Sequence, residues 1–242
     1  MTWEWQVFLN DDGGGRTYLE WMMQAWGWTL SVAFCAWVIS IAVGFTVGTL
    51  RTFHKYPLLV AAGNAWVEAF RNVPILVQVF LWYFVLPKIF PPMLEWPGFL
   101  LVVLALGFFT SSRIAEQVKA GINALSKGQS MAALALGLTP LQSYRYVILP
   151  MALRIILPPL TSESMNLLKN SSVAFAVSIP ELTMFAMQAQ EETSRGIEIY
   201  LAVTGLYAVS AFAVNRLMAG LESYLYIPGS SRLSNSSAGK GK

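Results

Sequence analysis

Long uncharged apolar runs alternate along this chain with short segments rich in Arg, Lys, Pro and Ser. The first run, residues 26–50 (WGWTLSVAFCAWVISIAVGFTVGTL), has no charged side chain over 25 positions. That is about 37 Å of helix against a hydrocarbon core of roughly 30 Å, which predicts a membrane-spanning helix. A basic link (Arg51, His54, Lys55) leads to a second apolar stretch over 58–86, notched by Glu68, Arg71, Asn72 and Pro74. Pro87, Pro91, Pro92 and Pro97 are expected to break the chain into a loop. A third span is expected from 98 to the TSSR of Thr110 to Arg113, its helix running on into solvent. The fourth is expected from Ile155 to Met187, interrupted by Pro158, Pro159 and Pro180, and the fifth from Ile199 to Leu221. Residues 114–154 have no membrane-length run. The pattern therefore predicts an all-α membrane protein of about five transmembrane helices. Residues 1–25 form an outer segment, 26–221 the membrane domain, and 222–242 a disordered tail rich in Ser and Gly.

Composition fits a lipid solvent: 55% of the residues are hydrophobic and 12% charged, against roughly a quarter charged in soluble domains. The segment before the first run is acidic (Glu4, Asp11, Asp12, Glu20) where a cleaved signal would be basic. Cys35, the only cysteine, can form no intrachain disulfide and is read as a small apolar residue. The net charge of +3 comes without a basic patch interleaved with aromatics, so no nucleic-acid partner is expected. The placement of charge says more. Arg51, Lys55, Arg113, Lys119, Lys127, Arg145, Arg154, Arg216, Arg232, Lys240 and Lys242 fall on one side of the expected spans, and only Arg16, Lys88 and Arg195 on the other. Positive residues are retained in cytoplasmic loops, which puts the amino terminus outside, the carboxyl terminus inside and 114–154 in the cytoplasm.

That cytoplasmic segment carries paired helix signals. Ser126-Lys127-Gly128-Gln129 has capping-box spacing, Gly137 suits a left-handed helix end, and Thr139-Pro140-Leu141-Gln142 is a second capping box with Pro at the first helical position. Pro150 is expected to end or kink the second helix. Met131, Leu134 and Leu138 on the first helix, and Leu141, Tyr144 and Ile148 on the second, recur every three or four residues and give apolar stripes that require a partner.

The spacing Ala132-Ala133, three residues, Gly137, nine residues, Val147, one residue, Leu149-Pro150 resembles the EAA loop of permease subunits of ATP-binding cassette importers. Met131 stands where that motif has Glu and Val147 where it has Ile. EAFRNVPILVQVFLWYFVLP (68–87), AEQVKAGINALSKGQ (115–129) and LPPLTSESMNLLKNSSVAF (157–175) are similar to polar amino acid permeases, and among these to glutamate/aspartate permease subunits. The resemblance implies a binding-protein-dependent permease fold in a plasma (inner) membrane. It also implies a coupling hairpin (Ala132, Ala133, Gly137, Leu138, Thr139, Leu141, Tyr144, Leu149, Pro150) docked on a separate dimer of ATPase subunits. ATP and magnesium would be held by that partner and no cofactor by this chain. A second permease chain and an extracytoplasmic substrate-binding protein would complete the assembly. The chain has no G-x-x-x-x-G-K-[ST] run of its own, so it is expected to be a transport subunit and not an enzyme.

Ionisable groups inside a span are costly and face a partner or a watery path. Glu163, Asn166 and Lys169, at successive offsets of three, form one drifting polar stripe with Asn170 and Ser171 close by. Lys169 is the natural attractor for a substrate carboxylate, although it can also snorkel or pair with Glu163 or Glu68. Glu68 and Arg71 are spaced for a local ion pair, and Asn72 and Gln78 flank a broken helix where they can meet substrate or backbone. The competing class is a self-sufficient secondary transporter or channel, which usually shows internal repeats with paired interrupted helices; the two halves here do not match. An intramembrane hydrolase would need His, Cys or paired carboxylates in the membrane, and the only His is His54 in a cytoplasmic link.

Overall fold

The computed structural model describes residues 3–225, and the expected tail beyond Leu225 lies outside the described residues. A 3-10 turn, Trp5–Leu9, precedes α1 (Tyr18–Leu50). Thr17 and Glu20 form a capping box at the start of α1, so the helix begins eight residues before the uncharged run. The Asp12–Arg16 ion pair closes the loop ahead of it, and the hydrogen bond from Arg16 holds the Asp12 carboxyl below its ordinary range.

The second apolar stretch is not one straight span. Helix α2 (Pro57–Arg71) ends at Asn72, and the chain turns by 102° into α3 (Ile75–Phe80) and α4 (Leu86–Ile89). Pro74, with no N–H to give, stands at the N-cap of α3. Pro87 does not break the chain as expected. The preceding turn, Leu81–Val85, is widened to a π-helix in which the Leu86 N–H donates to the Leu81 carbonyl, and this lets the helix accept the proline ring.

Helix α5 (Gly98–Asn123) runs on past Arg113 as expected. The hairpin follows as α6 (Lys127–Ala135) and α7 (Pro140–Ser143). The helix after it starts earlier than the sequence suggested. A π turn over Tyr144–Ile148 joins α7 to α8 (Leu149–Asn170), with the Leu149 N–H donating to the Tyr144 carbonyl just before Pro150. Pro150 therefore continues the helix instead of ending it, and Pro158 and Pro159 also lie inside α8. A 3-10 segment, Ser171–Val177, extends it. The break comes at left-handed Ser178, after which α9 (Leu182–Thr193) departs at 53°. Helix α10 (Gly196–Leu225) closes the described chain. Three helices (α1, α5 and α10) are long and apolar enough to cross a membrane, and up to five spans result if each bent pair counts as one.

Helices α1 and α5 run parallel in close contact, as the pairs Ile39–Gly107, Gly44–Ile114 and Gly48–Val118 show. A Cβ on Gly44 would sit 2.6 Å from Ile114 Cγ2, so glycine is what permits the approach. Three apolar clusters stack along the bundle. One joins Val7, Phe8, Trp21, Phe185 and Ile199; the second joins Val32, Val102, Leu106, Leu167 and Val177; the third joins Ile114, Val118, Ile148, Ile156 and Met218.

Candidate functional site

Two places have features that core packing alone does not require. The first is the hairpin. Gly137 adopts φ +82°, and around it the Leu138 N–H donates to the Ala133 carbonyl and the Gly137 N–H to the Leu134 carbonyl, the paired bonds of a Schellman helix end. Thr139 and Gln142 then form the expected capping box. Ser126 does not: its hydroxyl accepts from the Gly128 N–H, and no Gln129 contact completes a box. The corner points Leu136 (83% exposed), Leu141 (73%) and Met131 (69%) outward with Leu134. Ala132, Gly137, Thr139 and Pro150 are also exposed, Leu138 and Leu149 are partly buried, and Ala133 is buried. The stripe expected on the second helix is split. Ile148 is buried in the bundle, and Tyr144 turns inward onto Phe53, with ring centroids 4.6 Å apart and its hydroxyl 3.0 Å from that of Thr52.

The second place is inside the bundle, between α5 and α8. Arg113 Nε donates to Glu163 Oε2 at 2.8 Å and Nη2 to Oε1 at 3.1 Å, a bidentate ion pair; Gln117 Nε2 adds a bond to Oε1 at 3.2 Å. The Glu163 side chain is 8% exposed and that of Arg113 is 44%. Arg113 lies fifteen residues from the start of α5 and Glu163 fourteen from the start of α8, which puts each about 21–22 Å from one end of its helix. The neighbouring Ile114 packs on Gly44 of α1, less than two turns before that helix ends at Leu50, and Glu116 meets Arg51 just past the end, so the pair lies inside the bundle toward its Arg51 end. Removing Arg113 would strand the buried Glu163 carboxylate without its counter-charge, which is destabilising. Farther along α8, Asn166 and Asn170 are partly buried, Ser171 is fully buried, and Lys169 is exposed. Among the described residues Lys169 has no carboxylate within ion-pair distance.

The residues at the notch are brought elsewhere. Arg71 approaches Glu116 at 3.8 Å, not Glu68, and Glu116 also binds Arg51 Nη2 at 2.8 Å. Glu68 and Asn72 are exposed. Gln78 is buried, and its Nε2 donates to the carbonyls of Phe70 (2.7 Å) and Val73 (2.9 Å), fastening the 102° bend. Sequence reasoning missed the Arg113 pairing, because a helix leaving the membrane after TSSR looks the same as one still inside it. It also missed Glu181, fully buried at the start of α9, which accepts from the N–H groups of Thr183 and Met184 and from the Tyr207 hydroxyl, all at 2.9 Å. An acid directly after Pro180 and before an apolar run was the available signal.

A bundle of bent and straight membrane-length helices, with an exposed apolar hairpin at one end and a charged pair between two of its helices, suits a subunit that moves something across a membrane and works with partners. Residues 38–225 match the family of binding-protein-dependent transport system inner membrane components, and the chain belongs to it. It is 38% identical, over 95% of its length and 97% of the relative's, to the glutamate/aspartate import permease protein GltJ of Escherichia coli (strain K12). It is 36% identical, over 75% of its length and 82% of the relative's, to the probable glutamine ABC transporter permease protein GlnM of Bacillus subtilis (strain 168). Among solved structures, that of an amino acid ABC transporter with histidines superimposes with a TM-score of 0.78 at 28% identity, covering 93% of this chain and all of the other. The chain is an amino acid ABC transporter permease subunit, an inner-membrane transport component.

Proposed function

We propose that this subunit imports acidic amino acids, lining the path with a second permease chain and drawing its work from a separate pair of ATPase subunits. The named specificity of its E. coli relative supports the cargo, and the cations Arg113 on α5 and Lys169 on α8 supply the matching charge. An extracytoplasmic binding protein delivers the amino acid to the outer face. ATP and magnesium are held by the partner, and this chain contributes the hairpin. The observation that carries the reading is the knuckle of Met131, Leu136 and Leu141. These apolar side chains lie exposed at a rigidly capped corner whose helix continues through α7 and α8 to Glu163. Apolar surface held out at a fixed corner is what a docking groove recognises.

Gly137→Val tests it, because a β-branched residue in the left-handed region costs about 1–2 kcal/mol and turns the corner aside. The expected outcome in proteoliposomes carrying the complete complex is ATP hydrolysis that persists while glutamate uptake falls away. Normal uptake by the variant counts against the docking role. Wild-type uptake should require ATP and ignore ionophores; uptake collapsed by ionophores without any need for ATP would support a secondary transporter instead.

A further inference from the structure

We infer that Arg113 selects an anionic substrate: held on the buried Glu163 carboxylate, it turns the free edge of its guanidinium to the translocation path and there receives a carboxylate of a dicarboxylic amino acid. This rests on the importer reading above and names the residue that would give it its specificity. A counter-ion whose only work is to neutralise Glu163 needs no exposed edge. Yet the Glu163 side chain is 8% exposed and the Arg113 side chain 44%, between two long helices and more than one turn inside the Arg51 end of the bundle, where an ionised group is costly against hydrocarbon. The open side of Arg113 therefore borders water or cargo. Glu163 occupies one Nε and one Nη2 donor; of the five guanidinium N–H groups, three remain. They form a planar fork suited to a second carboxylate.

Charge supports the same class of cargo. Arg113 and Lys169 are positive and Glu163 is negative, so the site carries 2 − 1 = +1. A dicarboxylic amino acid carries one net negative charge at neutral pH, whereas glutamine is neutral overall. Lys169 is exposed and lies six residues beyond Glu163 on α8, about 9 Å along the helix axis. Asn166, between them, and Asn170 provide side-chain carbonyls that can accept from the substrate ammonium.

The test uses the full complex in proteoliposomes, with glutamate, aspartate and glutamine as cargo. Arg113→Gln lowers the site charge to zero and should cut glutamate uptake relative to glutamine on the order of tenfold or more, the loss of a charge-assisted bidentate contact. That variant also leaves Glu163 buried without its partner, so the double variant Arg113→Gln/Glu163→Gln is measured beside it and checked for copurification with the ATPase. The double variant should assemble and still fail to take up glutamate with normal KM. Normal KM and preference in the double variant would show that Arg113 serves only to neutralise Glu163, and would overturn the inference while leaving the importer reading intact. A wild-type complex that moves no acidic amino acid would sink both.

Discussion

Lys169 and Arg113 are both cations on membrane helices, and the structure gives them opposite settings. Arg113 is clamped by Glu163, whose carboxylate Gln117 also binds, whereas Lys169 is exposed on α8 with no acid among the described residues near enough to pair. An ammonium free of a protein partner is the group a mobile anion can visit and leave. Lys169→Ala should therefore abolish glutamate uptake while the subunit still inserts and copurifies with its partners. Uptake at unchanged affinity would make Lys169 a structural residue. The stripe Glu163, Asn166, Lys169 was legible because offsets of three are fixed by helix geometry. The partner of Glu163 was not, because it comes from a helix fifty residues earlier and no local pattern encodes that contact. Glu68 shows the converse: its spacing to Arg71 suits a pair, but Glu116 of α5 lies within reach of Arg71 instead.

At the scale of the element, caps that use short local bonds were largely readable. Thr139–Gln142 and the glycine end at Gly137 form as their spacing implies, while Ser126 shifts its bond by one residue to the Gly128 N–H. The prolines were misread, since Pro87 and Pro150 each follow a π turn that makes room for the ring. Proline always fixes φ and lacks an N–H, but a widened turn before it relieves the clash of its ring with the carbonyl four residues back. The α1–α5 contact depends on Gly44 and Gly48, whose spacing of four in an apolar helix puts both on the face that meets α5. Gly44→Leu should lower the stability of the detergent-solubilised subunit by about 1–3 kcal/mol or more through overpacking against Ile114 and the Ser111 carbonyl, read as a fall in Tm. An unchanged Tm would mean that α1 and α5 are not held at this distance.

For the whole molecule, the number and length of the apolar runs carried most of the architecture, because the bilayer restricts both. The sequence could not show that two of those runs are folded over, at 102° and 53°, since hydropathy records how much apolar chain there is and not its direction. Orientation is open to a direct check. With Cys35 replaced by Ala, a cysteine at Glu191 should react with an impermeant thiol reagent added outside cells, and one at Lys127 only after permeabilisation; both positions are exposed. The reverse pattern would invert the assignment of the hairpin to the cytoplasm.

The widened turn at Tyr144–Ile148 has a mechanical consequence. Because Pro150 is accommodated within the helix, the corner at Thr139 and the carboxylate of Glu163 are joined by one continuous run of helical turns. Any shove given to the knuckle travels toward the charged pair along one continuous helix, bending most easily where Pro158 and Pro159 leave backbone carbonyls without their usual partners.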